Sequence, residues 1–274
     1  MNAIHKITRG SLMAAFLAAA AGPVAGQTYT FREGLSGYTG TSDNGLYSFS
    51  TLRDDNTGAN ALLSIGDAST DGTDKRRTIL RFDVSSLPVD ALVTSATLTL
   101  TKEESSMQRS FTFGVYQIAD TNAGWIEGAT VFATAATGES DWNHKAHGVV
   151  GGGWVGSAGL SLAGVDYLTP ALASNILYDV GDTNSITDQN GVGINITLPA
   201  SLVNYWHTNI NAGLLLISDV EASGVNTYNQ QFASAEHGNA TWRPTLTLVT
   251  IPEPSTVMLL GASLVLVGRA CRRR

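Results

Sequence analysis

The chain has 274 residues, a single cysteine (Cys271) and a formal net charge of −7. One cysteine excludes a disulfide scaffold and a thiolate metal centre. The acidic balance argues against nucleic acid as a partner, because such affinity comes from Lys and Arg neutralising phosphates.

Residues 1–9 carry His5, Lys6 and Arg9 and no acid, residues 11–21 are apolar and Ala-rich, and Pro23 to Gly26 are mostly small. That order predicts a secretory signal peptide over residues 1–26, helical while attached and cleaved between Gly26 and Gln27. A body over residues 27–250 follows. It keeps ten of the 16 basic residues and 22 of the 23 acidic ones, so its charge is about −12. This length suits one all-β unit with a core of its own.

Within the body, residues 27–31 predict a first strand and the polar stretch 34–44 a loop. Residues 46–52 (LYSFSTL) alternate apolar and polar, the period of a half-buried strand. A turn at 53–60, a short strand at 61–65 and a polar turn at 66–74 follow. In RRTILRFDVSSLP, at 76–88, Thr78, Leu80, Phe82 and Val84 alternate with Ile79, Arg81 and Asp83, and Pro88 ends the strand. VTSATLTLT at 93–101 is β-branched and alternating. FTFGVYQI at 111–118 repeats the pattern at Phe111, Phe113 and Val115. Residues 129–169 are dense in Gly, Ala and Ser and predict long loops with one or two short strands. A helix is expected over 199–209, with Leu202, Val203 and Trp206 on one face and Trp206 as a core wedge. A buried strand follows at 213–217. Irregularly spaced strands without a fixed repeat predict a two-sheet antiparallel sandwich.

Several of these words resemble, in order, the DNRLRE family of secreted β-sandwich domains. They are RRTILRFDVSSLP, VTSATLTLT, FTFGVYQI, the Trp-x-Glu-Gly at Trp125 to Gly128, LPASLVNYWHTNINAGLLLISD (198–219) and FASAEHGNATWRPTLTLVT (232–250). Two departures stand out. Ser234-Ala235-Glu236 replaces the family's frequent Ser-Arg-Glu, and a Gly/Ala-rich insertion occupies about 130–164. The resemblance implies a jelly-roll-like, non-catalytic module that binds or is displayed.

Chemistry-bearing residues are sparse. Gly151 to Gly156 fits G-x-G-x-x-G but opens no amphipathic helix, so a dinucleotide site is not expected. His144 and His147, near Glu139 and Asp141, have the residue types of a metal site, although solvated loop side chains look the same in sequence. Glu127, Glu139, Asp141 and Glu236 are the carboxylates a polysaccharide hydrolase or lyase would draw on. The 67–74 loop, with Asp67, Asp71, Gly72 and Asp74, offers oxygen ligands without EF-hand spacing. No cofactor is expected, with calcium left open. Trp125, Trp142 and Trp154 raise a carbohydrate-binding reading; among them Trp142, flanked by Asp141, Asn143 and His144, is the candidate glycan contact. Burial is the ordinary fate of all three.

The last segment, residues 251–274, has three parts. Pro252, Glu253 and Pro254 are expected to stay extended and outside any sheet or helix interior. Residues 257–267 form an apolar run. Arg269, Arg272, Arg273 and Arg274 favour the cytoplasmic side of a membrane. A helix of about 11–13 residues spans roughly 17–20 Å, short of the ~30 Å bilayer core. It therefore reads as a thin or transient anchor or as a signal to be removed. This grammar resembles the PEP-CTERM sorting signal of Gram-negative bacteria. That resemblance implies recognition by an exosortase-type protease in the inner membrane, transit through that membrane, and delivery to the cell surface or extracellular matrix beside exopolysaccharide. The leading expectation is an exported, non-catalytic surface or matrix protein. The alternatives are a carbohydrate-binding module and a secreted polysaccharide hydrolase or lyase.

Overall fold

The computed structural model describes residues 26–69, 71–103, 110–178, 190–221 and 228–252. The signal segment before Gly26, Glu253, Pro254, the apolar run and the four tail arginines lie outside the described residues. So do the two terminal helices expected there. Among the described residues no helix is long and apolar enough to cross a membrane.

The architecture is an all-β antiparallel sandwich, as the periodicity predicts. One sheet pairs β1 (Gln27–Phe31), β13 (Thr245–Pro252), β6 (Ala91–Glu103) and β10 (Gly193–Leu198). The facing sheet is built from β2 (Thr41–Tyr47), β4 (Leu62–Asp67), β5 (Lys75–Phe82), β7 (Phe111–Gln117), β9 (Ala173–Tyr178), β11 (Leu214–Ser218) and β12 (Tyr228–Ala233). The long β6 joins the two, because it also pairs with β12 at Lys102 and Glu103. The two ends of the body meet in the first sheet: Gln27 lies opposite Thr250 and Phe31 opposite Leu246.

The main core fills the gap between the sheets. Leu98, Leu100, Leu246 and Leu248 come from one side, and Leu63, Ile65, Leu80, Phe82, Phe113, Val115 and Phe232 from the other. Burying each such side chain contributes about 1.5–3 kcal/mol. The second sheet is covered on its outer face as well. Ile79 and Leu215, whose neighbours Leu80 and Leu214 point into the sandwich, pack outward with Leu46, Ile118, Trp125, Trp142, Trp154 and Leu160. The unbroken apolar run Leu214 to Ile217 reflects this: a strand buried on both faces needs no polar alternate.

The outer layer is the glycine-rich stretch 129–169. It contributes one short strand, β8 (Ala133–Thr134), paired with β3 (Asp55–Asn56). Its polar backbone is satisfied by a few buried side chains. Asp166 accepts from the amides of Gly156, Ser157 and Leu162 and from the Asn122 amide group. Arg77, from β5, donates to the carbonyls of Gly159 and Leu160 and forks onto Glu221.

The helix α1 (Ala200–Thr208) starts after Pro199, which has no amide to leave unpaired. Leu202, Val203 and Trp206 are its buried residues and join the main core, as expected. Asn204 fixes it to β6 by accepting from the Val93 amide (2.9 Å) and donating to the Val93 carbonyl (3.0 Å). Asn204→Ala strands both backbone groups and is expected to lower stability by about 1–3 kcal/mol in chemical denaturation.

One strand is displaced from its expected position. The alternation at 46–52 predicts a strand there, and 34–44 a loop. The strand instead runs Thr41–Tyr47, pairing Asp43 with Leu80 and Gly45 with Thr78. The strand ends at Tyr47, a bend and turn follow Ser48, and Phe49 is 43% exposed. The displacement has a physical cause. Asp43 and Asn44 are buried polar residues whose partners are loop groups distant in sequence, so hydrophobic periodicity cannot register them.

Candidate functional site

Three carboxylates from distant parts of the chain converge beside the tryptophan layer. Asp43 comes from β2, Glu127 from the Trp125 to Gly128 word, and Glu236 from the Ser234-Ala235-Glu236 word. Each offers an oxygen, and these oxygens lie within 4.8 Å of one another. The Glu127 loop is clamped in place. Asn44 donates to the Ser140 carbonyl, and Asn56 donates to the carbonyls of both Glu127 and Ser140. Trp125 donates its indole N–H to the Ala212 carbonyl at 2.8 Å. Gly128 has a φ of +91°, and a Cβ there would sit 2.3 Å from the Asn56 side chain, so both its conformation and its contact demand glycine.

Glu127 Oε1 accepts from the Asp43 amide at 2.6 Å, and Asp43 Oδ2 accepts from the Ala235 amide at 2.8 Å. Asp43 Oδ1 is buried and has no hydrogen-bond partner, in a residue that is 1% exposed. Among the described residues no Lys, Arg or His lies within ion-pair distance of any of the three acids. Arg81 and Arg243 act on Glu127 and Glu236 through their charge but pair with neither; the Arg81 guanidinium stacks over the Trp125 ring at 4.6 Å. Burial pushes the Asp43 carboxyl well above the usual carboxylate range, and the charges of Glu236 and Glu127 push it further. Burial raises Glu127 to about 8, and Glu236 also moves upward. Glu33 lies near enough for its charge to add to the rise in all three.

A second cluster gathers residues that sequence spacing does single out. Asp141 is fully buried. His144 Nδ1 lies 3.0 Å from its Oδ1, and His147 Nδ1 2.6 Å from its Oδ2. The His144 amide also donates to Oδ1, so both oxygens of Asp141 are already engaged by protein groups. Glu139, expected beside these histidines, turns away and accepts from the amides of Ala129 and Ala136. Asp54 takes its place, 3.9 Å from His144 Nδ1. Asp54, Asp141, His144 and His147 have the donor types of a transition-metal site.

The other sequence candidates separate. In the 67–74 loop, Asp67 accepts from the amide and hydroxyl of Ser69, Asp71 does the same with Thr73, and Asp74 pairs with Arg76. These are Asx turns that close the loop on itself. Trp142, the residue expected to meet a glycan, is 6% exposed. Its ring edge abuts Gly159, and Arg77 stacks on it at 5.5 Å. Trp125 and Trp154 are buried too. No indole face of the three is offered to a sugar, because the layer they build covers the outer face of β5 and β11. Gly151 to Gly156 opens no helix. Two open grooves of about 440 and 500 Å³ flank Gly40, and neither is lined by Asp43, Glu127, Glu236 or Asp141.

Sequence reasoning named Glu127 and Glu236 but missed Asp43, which no local spacing links to either. Comparison with known families finds the PEP-CTERM protein-sorting motif at residues 250–274. No curated protein matches the chain. The chain thus carries a C-terminal signal for export and exosortase-dependent sorting, which includes Pro252, Glu253, Pro254 and the four tail arginines.

Proposed function

We propose that this is a non-catalytic structural protein of the cell surface or extracellular matrix of a Gram-negative bacterium. On this reading it is exported through its N-terminal signal and held in the inner membrane as an intermediate. An exosortase-type protease then releases it near the Pro252-Glu253-Pro254 triplet, and it associates with exopolysaccharide. The observation that carries the reading is the sorting motif at residues 250–274. The basic, apolar, small-residue order of residues 1–26 supports export from the other end.

Two features support a structural role over catalysis or sugar stacking. Trp125, Trp142 and Trp154 are committed to packing. Glu127 and Glu236 do meet, as a glycosidase pair would, but around a buried third carboxylate, and they line neither open groove. We also read the body as a DNRLRE-like module, in support of which its words fall on β5, β6 and β7 and two of them supply Glu127 and Glu236.

Intact mass spectrometry of the protein recovered from the host's culture medium and matrix tests the reading. The expected species begins at Gln27 and lacks everything beyond about Glu253. A full-length, Arg-ended chain confined to the cytosol refutes it. Co-sedimentation with purified exopolysaccharide tests the final association.

A further inference from the structure

We propose that Asp43, Glu127 and Glu236 bind a calcium ion in the exported protein. This site would stand whether or not the tail is cleaved. Acidic clusters are common without an ion, and two separate observations distinguish this one. Asp43 is 1% exposed, yet its Oδ1 has no partner, within a cluster where the three acids bring oxygens within 4.8 Å of each other. Among the described residues no cation pairs with any of the three. A buried carboxylate oxygen without hydrogen bond or counter-charge costs several kcal/mol of lost hydration. A divalent cation removes that cost in one step.

The donor set selects the ion. All three ligands are hard carboxylate oxygens, with no imidazole or thiolate, which suits calcium and disfavours zinc or copper. Calcium tolerates irregular coordination at about 2.3–2.6 Å, whereas magnesium demands a tighter octahedron. The Asp141 cluster makes the contrast plain. Its carboxylate already accepts from His144 and His147, so nothing there calls for an ion. In the Asp67 to Asp74 loop Asp74 pairs with Arg76 and, although Asp67 Oδ2 is also buried without a hydrogen-bond partner, among the described residues no three acids there bring oxygens within 4.8 Å of one another. The ligands also come from three chain regions, so the ion ties β2 to the loops that follow Trp125 and Ser234. Exported proteins meet millimolar calcium, and an affinity of about 10⁻⁴–10⁻³ M suffices there.

The test uses the full-length protein stripped of metal. Terbium, a calcium surrogate, is titrated while the indoles are excited; Trp125 lies two residues from Glu127. We expect sensitised terbium emission that calcium displaces, and a Tm that rises with calcium and falls back with chelator. Glu127→Gln and Glu236→Gln should each weaken binding by at least about tenfold, since affinity follows ligand charge. Glu236 is the more exposed of the two, so its variant keeps the test valid if Glu127→Gln misfolds. His147→Ala should leave calcium affinity unchanged. The proposal fails if millimolar calcium gives neither terbium displacement nor a Tm shift. It fails equally if binding survives both glutamine variants, or if His147→Ala removes it.

Discussion

Arg77→Ala is expected to destabilise the protein by about 3–5 kcal/mol, the cost of leaving a buried acid without its partner. The side chain of Arg77 is 7% exposed, as is that of Glu221, and the two make a forked pair with a shortest contact of 2.7 Å. The remaining guanidinium nitrogen serves the carbonyls of Gly159 and Leu160 and the Ser161 hydroxyl. Truncation therefore orphans a carboxylate and two loop carbonyls and removes the cation from the Trp142 face. For a domain of this size each kcal/mol shifts Tm by about 2–4 °C, so a fall of roughly 6–20 °C should be seen by calorimetry.

A buried ion pair adds little net stability, because taking both charges out of water costs about what their attraction returns. Burial raises the Glu221 carboxyl even with Arg77 beside it, so desolvation outweighs the attraction. Replacing both residues together by methionine should accordingly recover most of the loss. A double variant as unstable as Arg77→Ala would show that the loop carbonyls, not the buried charge, dominate.

The second large effect is a dependence on pH that calcium suppresses. Glu127 titrates near 4.5 without its folded surroundings and near 8 within them. Between those values the folded chain holds a proton that the unfolded chain has released, so stability must fall as pH rises through that window. Asp43 and Glu236 shift in the same direction. Arg81 and Arg243 face the group and moderate the rise, while Glu33 adds to it. With divalent cations chelated, stability should drop by on the order of 3–5 kcal/mol between about pH 4.5 and pH 8. Saturating calcium, which favours the ionised carboxylates, should flatten the curve. Chemical denaturation at several pH values, with chelator and with calcium, measures both. A chelated protein that becomes more stable as pH rises would contradict the assignment.

Strands that face one core and carry β-branched alternation were legible in the sequence. β5, β6 and β7 lie where Leu80, Leu98 and Phe113 mark them, and α1 lies where Leu202, Val203 and Trp206 do. β9 and β10 went unread: β9 carries no clear alternation, whereas β10 does alternate, with Ile194, Ile196 and Leu198 toward the core and Asn195 and Thr197 opposite, but it is only six residues long and follows a polar stretch. The outer layer was illegible for a different reason. Glycine-rich sequence reads as loop, and it is loop, yet it folds into a packed shell because Asp166 and Arg77 satisfy its backbone and three tryptophans fill it. That is why Trp142 lies buried despite its polar neighbours: Asp141 and His144 are occupied with each other. The carboxylate site needs residues 43, 127 and 236 at once. Composition can list such acids, but only the fold shows that they share a space.

The opposed placement of Gln27 and Thr250 bears on how this molecule leaves the cell. The segment before Gly26 and the sorting tail therefore join the body at a single corner, on neighbouring strands. On the proposed export route, a body held through both segments would be moored at one corner, not stretched between two. β13 runs all the way to Pro252, the first residue of the triplet, so the fold leaves no slack between body and mooring. An enzyme cutting there must either work flush against a finished sheet or arrive before the last strand has zipped into place.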